Sequence, residues 1–184
     1  IHEHKIILRD LKCSSILLDD NLYPKISHFN SARIAGVNNS DCFEFDGQVN
    51  IAPELFDKSK NYSFPVDVFA YGMLLYHVIC NNEPSIDYES LWDLYDEFLK
   101  GKIYPPLDCI PAKYHEFINK MWCLDDKLRP SFDEIINKLI NERNIYWLDD
   151  VDEKEVESYI HQFGYTLKSK DQAEYITAIN KINN

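Results

Sequence analysis

The spacing of apolar positions changes character along this chain. In the first thirty residues they come as short runs, Ile16 to Leu18 and Pro24 to Ile26, divided by Asp19-Asp20-Asn21, whose side chains favour turns. That pattern predicts a small β-ribbon. A polar, loop-like stretch follows from Ser31 to about Asn50. Beyond it the spacing is helical. Pro65 to Cys80 is apolar nearly all round, the mark of a helix buried in mid-domain, with Ser63 and Pro65 at its start. Tyr88 to Lys100 is amphipathic, with Leu91, Leu94, Tyr95 and Phe98 on one face and a stop at Gly101. Pro111 to Cys123 carries Tyr114, Phe117, Ile118, Met121 and Trp122. Ser131 and Glu134 form a capping box that opens a helix through Ile135, Ile136, Leu139 and Ile140.

From about Tyr146 the pattern shifts. Val156, Tyr159, Ile160 and Phe163 form one helical stripe; Ser169 and Gln172 form a second capping box ahead of Ala173, Ile176, Ile179 and Ile182. Two readings stand for this pair of short helices: a hairpin packed on the domain surface, or a docking element for a protein partner. The expected fold class is mainly α with a small β-ribbon, divided into residues 1–143 and a helical extension over 144–184.

Composition narrows the function classes. Hydrophobic residues at 45%, with 14% aromatic, supply enough material for a buried core and set the chain apart from disordered sequences. A net charge of −12 argues against nucleic acid and against anionic membrane surfaces, and reads as solubility. The longest uncharged apolar stretch, Val68 to Cys80, falls short of the roughly 20 residues that span a bilayer. The expectation is a soluble, cytoplasmic protein. Cys13, Cys42, Cys80, Cys109 and Cys123 are scattered and odd in number, which fits a reducing compartment better than a disulfide framework, and no pair has zinc-site spacing. The chain starts at Ile1 and its methionines are Met73 and Met121, so it reads as a piece of a longer protein. His2-Glu3-His4 reads as exposed polarity at a helix end rather than a metal pair, and His77 as a core histidine.

Four segments carry chemistry together. Arg9-Asp10-Leu11-Lys12 precedes Ile16-Leu17-Leu18-Asp19; Ala52-Pro53-Glu54 follows; then comes Asp67-Val68-Phe69-Ala70-Tyr71-Gly72; and Leu128-Arg129-Pro130 stands before the capped helix. In this order and spacing the set resembles the C-terminal lobe of eukaryotic-type protein kinases over residues 1 to about 142, in the Ser/Thr or tyrosine-kinase-like group. The resemblance implies roles. Asp10 would take the proton from a substrate hydroxyl, and Lys12 would offset charge on the transferred phosphate. Asp67 would hold the catalytic loop through backbone amides, Glu54 and Arg129 would pair to anchor the activation segment, and Arg9 would face that segment. There, carboxylates among Asp41, Glu44 and Asp46 could stand in for a phosphorylated residue.

The departures from the family pattern bear on activity. His28-Phe29-Asn30 occupies the metal-binding D-F-G position, and Ser15 stands where the catalytic-loop asparagine belongs. Magnesium prefers hard oxygen ligands, and a neutral imidazole brings neither oxygen nor charge. Leu8 replaces the histidine before Arg-Asp but keeps packing against Phe29 open, and Asp46 to Ile51 lacks the threonine and tyrosine that precede A-P-E in the family. No Gly-rich loop or nucleotide-positioning lysine precedes Arg9, so the N-terminal lobe is expected to be absent. No metal or other cofactor is expected for this chain; ATP and magnesium enter only if a longer parent carries that lobe. Three functions follow: a pseudokinase lobe acting as a regulatory or interaction module in signalling, a fragment of an active ATP-dependent Ser/Thr kinase working through Asp10 and Lys12, or a truncated product with no separate role.

Overall fold

A computed structural model of the chain describes residues 1–37, 50–56, 62–83, 90–101 and 107–142, and beyond them 152, 154–156, 158–159 and 161. The chain divides into two compact units, Ile1–Asn137 and Lys138–Asn184. The second capping box lies outside the described residues, as do Ile160 and Phe163 of the preceding stripe and Asp41, Glu44 and Asp46.

The first unit is helical with two small antiparallel ribbons. The expected one pairs β2 (Ile16–Leu18) with β3 (Pro24–Ile26) in the register Ile16↔Ile26, Leu17↔Lys25, Leu18↔Pro24. Asp19 closes its turn by accepting from the Asn21 and Tyr23 amides at 3.0 and 2.9 Å. A second ribbon, which the sequence pattern did not reveal, pairs β1 (Ile6–Ile7) with β4 (Arg33–Ile34). Its strands are only two residues long, too short to display any alternation.

The buried helix α1 spans Pro65–Cys80, with proline at its first turn. Its N-cap is Phe64 rather than Ser63; Ser63 contributes only its carbonyl, which accepts from the Val66 amide at 3.2 Å. Helix α2 (Leu91–Leu99) starts three residues later than the apolar pattern suggested, because Ser90 is extended and its side chain caps the Asp93 amide. The Pro111–Cys123 segment is a 3-10 turn, Ala112–Tyr114, running into α3 (His115–Met121). Helix α4 (Phe132–Asn141) opens on the expected capping box: Glu134 accepts from the Ser131 amide at 2.7 Å, and Ser131 Oγ accepts from the Glu134 amide at 3.2 Å.

The core lies where α1 meets α3. Phe69, Phe98, Ile118, Met121 and Trp122 are fully buried, and each large apolar side chain removed from water contributes about 1.5–3 kcal/mol. The close approach depends on Gly72, where a Cβ would lie 2.6 Å from Trp122 Nε1. Phe98 of α2 joins edge-on to Phe69, with ring centroids 5.9 Å apart. No described helix is long and apolar enough to cross a membrane.

The cysteine reading needs correction. Cys80 and Cys109 are joined by a disulfide across 29 residues, with Cα atoms 5.6 Å apart, while Cys13 and Cys123 are free thiols. Sequence spacing gives no hint of it, because the pairing comes from α1 ending beside the 3-10 turn Leu107–Cys109.

Candidate functional site

The loop after β1 is hung on one buried carboxylate. Asp67, in the first turn of α1, is wholly buried. Its Oδ2 accepts from the Leu8 amide and its Oδ1 from the Arg9 amide, both at 2.8 Å. His2 Nε2 lies 2.8 Å from Oδ2, with the ring wedged between Phe64 and Phe132 at centroid distances of 4.7 and 5.0 Å. Three partners explain how a carboxylate is tolerated inside an apolar helix face. The reading of His2 as exposed helix-end polarity is thereby corrected: its partner is 65 residues away, beyond the reach of local pattern.

Arg9 follows with φ 66°, a left-handed conformation that costs a non-glycine residue about 1–2 kcal/mol. Its side chain is buried and directed by several bonds: Nε donates to the Ser31 carbonyl at 2.6 Å, and Nη1 to the Tyr62 hydroxyl at 2.8 Å. The guanidinium also lies over the Tyr62 ring. The carboxylates proposed to meet Arg9 from the activation segment fall outside the described residues.

Next along the loop, Asp10 and Lys12 form an ion pair at 3.0 Å, about one quarter and one fifth exposed. Their geometry is braced from two sides. Ser15 Oγ accepts from the Lys12 amide at 2.9 Å and donates to the Lys12 carbonyl at 2.7 Å, closing the 3-10 turn Cys13–Ser15. Asn50, which sequence reasoning noted only as part of a stretch lacking family residues, is buried and donates from Nδ2 to the Leu11 carbonyl at 2.9 Å. The signal that could have found it was a lone amide side chain between Val49 and Ile51, since a polar group buried among apolar neighbours needs a hydrogen-bond partner.

His28 is exposed in the left-handed region at φ 61°, which histidine tolerates better than most residues, and Asn30 is exposed as well. Phe29, between them, packs with Ile16, Ile26, Tyr71, Leu74 and Phe132 on a small buried cluster of Leu8, Leu11 and Ala70. Behind the loop, Arg129 grips Glu54 with two parallel bonds, Nη1–Oε1 at 2.6 Å and Nη2–Oε2 at 2.9 Å, and also donates to the Pro65 and Cys123 carbonyls. This is the bidentate geometry that arginine offers a carboxylate.

An acidic acceptor beside an ammonium group can orient a hydroxyl and hold a phosphate oxygen. Magnesium does not fit the residues present. The Ser15 hydroxyl has spent its proton and one lone pair on Lys12 and is buried, and His28 offers only ring nitrogens. Among the described residues, no group of three or more His, Cys, Asp or Glu side chains is placed to hold a metal ion.

Residues 1–140 match the family model described as "Protein kinase domain". A probable LIM domain-containing serine/threonine-protein kinase of Dictyostelium discoideum is 31% identical over 140 residues, 76% of this chain and 21% of that protein. Serine/threonine-protein kinase STY46 of Arabidopsis thaliana is 31% identical over 144 residues, covering 76% and 24%. Ephrin type-B receptor 3 of Xenopus laevis is 28% identical over 151 residues, covering 76% and 14%. The chain thus spans about a quarter or less of these relatives. With Asp67 holding the Leu8 and Arg9 amides, Arg129 paired to Glu54, and residues 1–140 matching the family model, the chain belongs to the protein kinase domain family.

Proposed function

We propose that this chain is the C-terminal lobe of a pseudokinase, a folded regulatory or interaction module in signalling whose loop geometry is retained and whose metal positions are lost. The observation that carries the reading is Ser15. Its hydroxyl is enclosed by the Lys12 backbone, donating at 2.7 Å and accepting at 2.9 Å, at the position where the family needs a magnesium ligand. His28, at the other metal position, brings no negative charge. Metal charge stabilisation supplies several kcal/mol in phosphoryl transfer, so its loss costs roughly a thousandfold or more in rate. Protein partners reached through residues 144–184 fit this role.

A second reading is favoured by one observation, the intact Asp10–Lys12 pair at 3.0 Å. Under it, the chain is a fragment of an active ATP-dependent Ser/Thr kinase, with Asp10 as base and Lys12 on the phosphate.

The experiment pairs a thermal shift with magnesium and ATP with a radiolabel transfer assay on the 184-residue chain and on any longer parent. The chain is expected to show neither binding nor transfer. Ser15→Asn, His28→Asp and Asn30→Gly together should raise activity in a parent that carries a nucleotide-binding lobe, and Asp10→Asn should abolish the gain. Transfer by the unaltered parent that depends on Asp10 would replace the pseudokinase reading with the second one.

A further inference from the structure

The structure points to a modification site away from the catalytic loop: we propose that Cys80 and Cys109 are a reversible dithiol–disulfide pair, oxidised by low-molecular-weight disulfides of the glutathione class, whose bonded state clamps helix α2 onto the lobe. The bond joins the last residue of α1 to the 3-10 turn Leu107–Cys109, and α2 lies in the segment it closes.

Three observations separate this pair from a permanent staple. Cys109 is exposed and Cys80 half-buried, so a small thiol has access to the bond; accessible disulfides are the labile ones, whereas structural disulfides resist reduction. The free thiol of Cys13 differs in kind. Cys13 is half-buried, and its thiol is pushed up by burial and then by the Glu83 carboxylate, so it stays protonated and slow to react. Finally, the Tyr76 hydroxyl lies 3.3 Å from Cys109 Sγ. A disulfide sulfur carries no proton, so the hydroxyl is the donor. Burial, and then Asp108, hold the Tyr76 phenol above its ordinary pKa, so it keeps its proton at neutral pH. A donor at that sulfur stabilises a Cys109 thiolate, the species that attacks during oxidation and departs during reduction.

The chemistry balances as thiol–disulfide exchange. The Cys109 thiolate attacks one sulfur of oxidised glutathione and releases one glutathione thiolate. The Cys80 thiolate then attacks Cys109 Sγ in the mixed disulfide and expels the second. Two electrons pass from the protein dithiol to the glutathione disulfide, and two protons leave the protein thiols to end on the two glutathione thiols. Reduction runs the same steps backwards.

What the bond holds in place reaches the kinase elements. Phe56, two residues after Glu54, stacks on Tyr95 of α2 at 5.5 Å and meets Phe98 at 6.2 Å. Phe98 meets Phe69, and Phe69 lies beneath the Arg129 guanidinium at 5.0 Å. Loosening α2 therefore loosens the packing behind the Glu54–Arg129 pair. The outer surface of α2 carries Trp92 and Leu99, both largely exposed, so a clamped helix also presents a fixed apolar surface.

The test equilibrates the full chain with glutathione buffers from about equimolar reduced and oxidised forms to about a thousandfold excess of the reduced form. Thiols are then trapped with iodoacetamide, the pairing is mapped by mass spectrometry, and hydrogen exchange is followed over residues 91–99. The expected result is a Cys80–Cys109 crosslink that forms in the oxidising buffer and is lost in the reducing one. Oxidation should slow exchange in α2 at least tenfold, and reduction should lower Tm by roughly 5–10 °C. Cys80→Ser should abolish both responses; should that variant not fold, wild-type protein reduced and alkylated takes its place. Tyr76→Phe, which keeps the ring, should slow crosslink formation several-fold, and an unchanged rate would overturn the donor role. The switch is overturned if the crosslink never forms or maps to other cysteines. It is equally overturned if the crosslink survives every reducing buffer, or if α2 exchanges alike in both states.

Discussion

Asn50 and Leu11 are 39 residues apart and joined by one buried hydrogen bond, Nδ2 to carbonyl oxygen at 2.9 Å. The bond lands on the Leu11–Lys12 peptide, so the segment before Ala52-Pro53-Glu54 steadies the loop that carries the ion pair. Removing the donor leaves a buried carbonyl unsatisfied, at about 1–3 kcal/mol. Asn50→Ala is expected to destabilise the protein by that amount and to speed exchange of the amides from Leu11 to Ser15. Asn50→Asp should cost more, because it sets a carboxylate against the Leu11 carbonyl. Equal stability of all three proteins in urea titrations would remove Asn50 from this role.

Asp67 supports two loop amides and touches His2. Asp67→Leu keeps the volume and strands both amides, each worth about 1–3 kcal/mol. Asp67→Asn keeps one acceptor and should fall between Asp67→Leu and wild type. His2→Ala should be milder than either, since the loop amides stay paired. A leucine variant that melts at the wild-type temperature would contradict the arrangement.

The Glu54–Arg129 pair is almost fully buried, with side-chain exposures of 9% and 0%. Breaking such a pair from one side leaves an unpaired buried charge and costs about 3–5 kcal/mol. Arg129→Ala should therefore be severe, and Arg129→Lys intermediate, because an ammonium cannot make two parallel bonds. Removing both partners should cost less than the sum of the single changes. A double-mutant cycle measures this, and strict additivity would mean that the two residues do not couple.

Acid should weaken the fold through two turn carboxylates. Hydrogen bonds from the Ser131 amide hold Glu134, and from the Tyr23 amide Asp19, below their ordinary values. Groups lowered in the folded state add stability above their unfolded pKa of about 4, and that stability is lost as pH falls through the folded value. Thermal melts from pH 6 down to pH 3 should steepen below about pH 4.5. The Asp19→Asn, Glu134→Gln double variant should show a flatter acid limb, and superimposable limbs would rule these two groups out.

The sequence by itself determined the elements whose signals are local. The β2–β3 ribbon was legible because its turn residues sit between two apolar runs, and α1 because sixteen residues are apolar nearly all round with proline at the first turn. The Ser131–Glu134 box was legible because both partners lie within one helical turn. The motifs from Arg9 to Arg129 pointed to the kinase family because their order along the chain carries the information. The start of α2 lies at Leu91 rather than Tyr88 because Ser90 caps the Asp93 amide, a signal that also lies within one helical turn of the sequence.

Only the tertiary structure decided the rest. The two-residue strands β1 and β4 gain their pairing, Ile6 with Ile34 and Ile7 with Arg33, from the chain returning to itself, not from any periodicity. His2 against Asp67, Asn50 against Leu11, and Cys80 against Cys109 are contacts between single residues separated by 65, 39 and 29 positions. Spacing constrains a side chain within a turn or a strand pair; at these separations, the packing of α1 against its neighbours selects the partner.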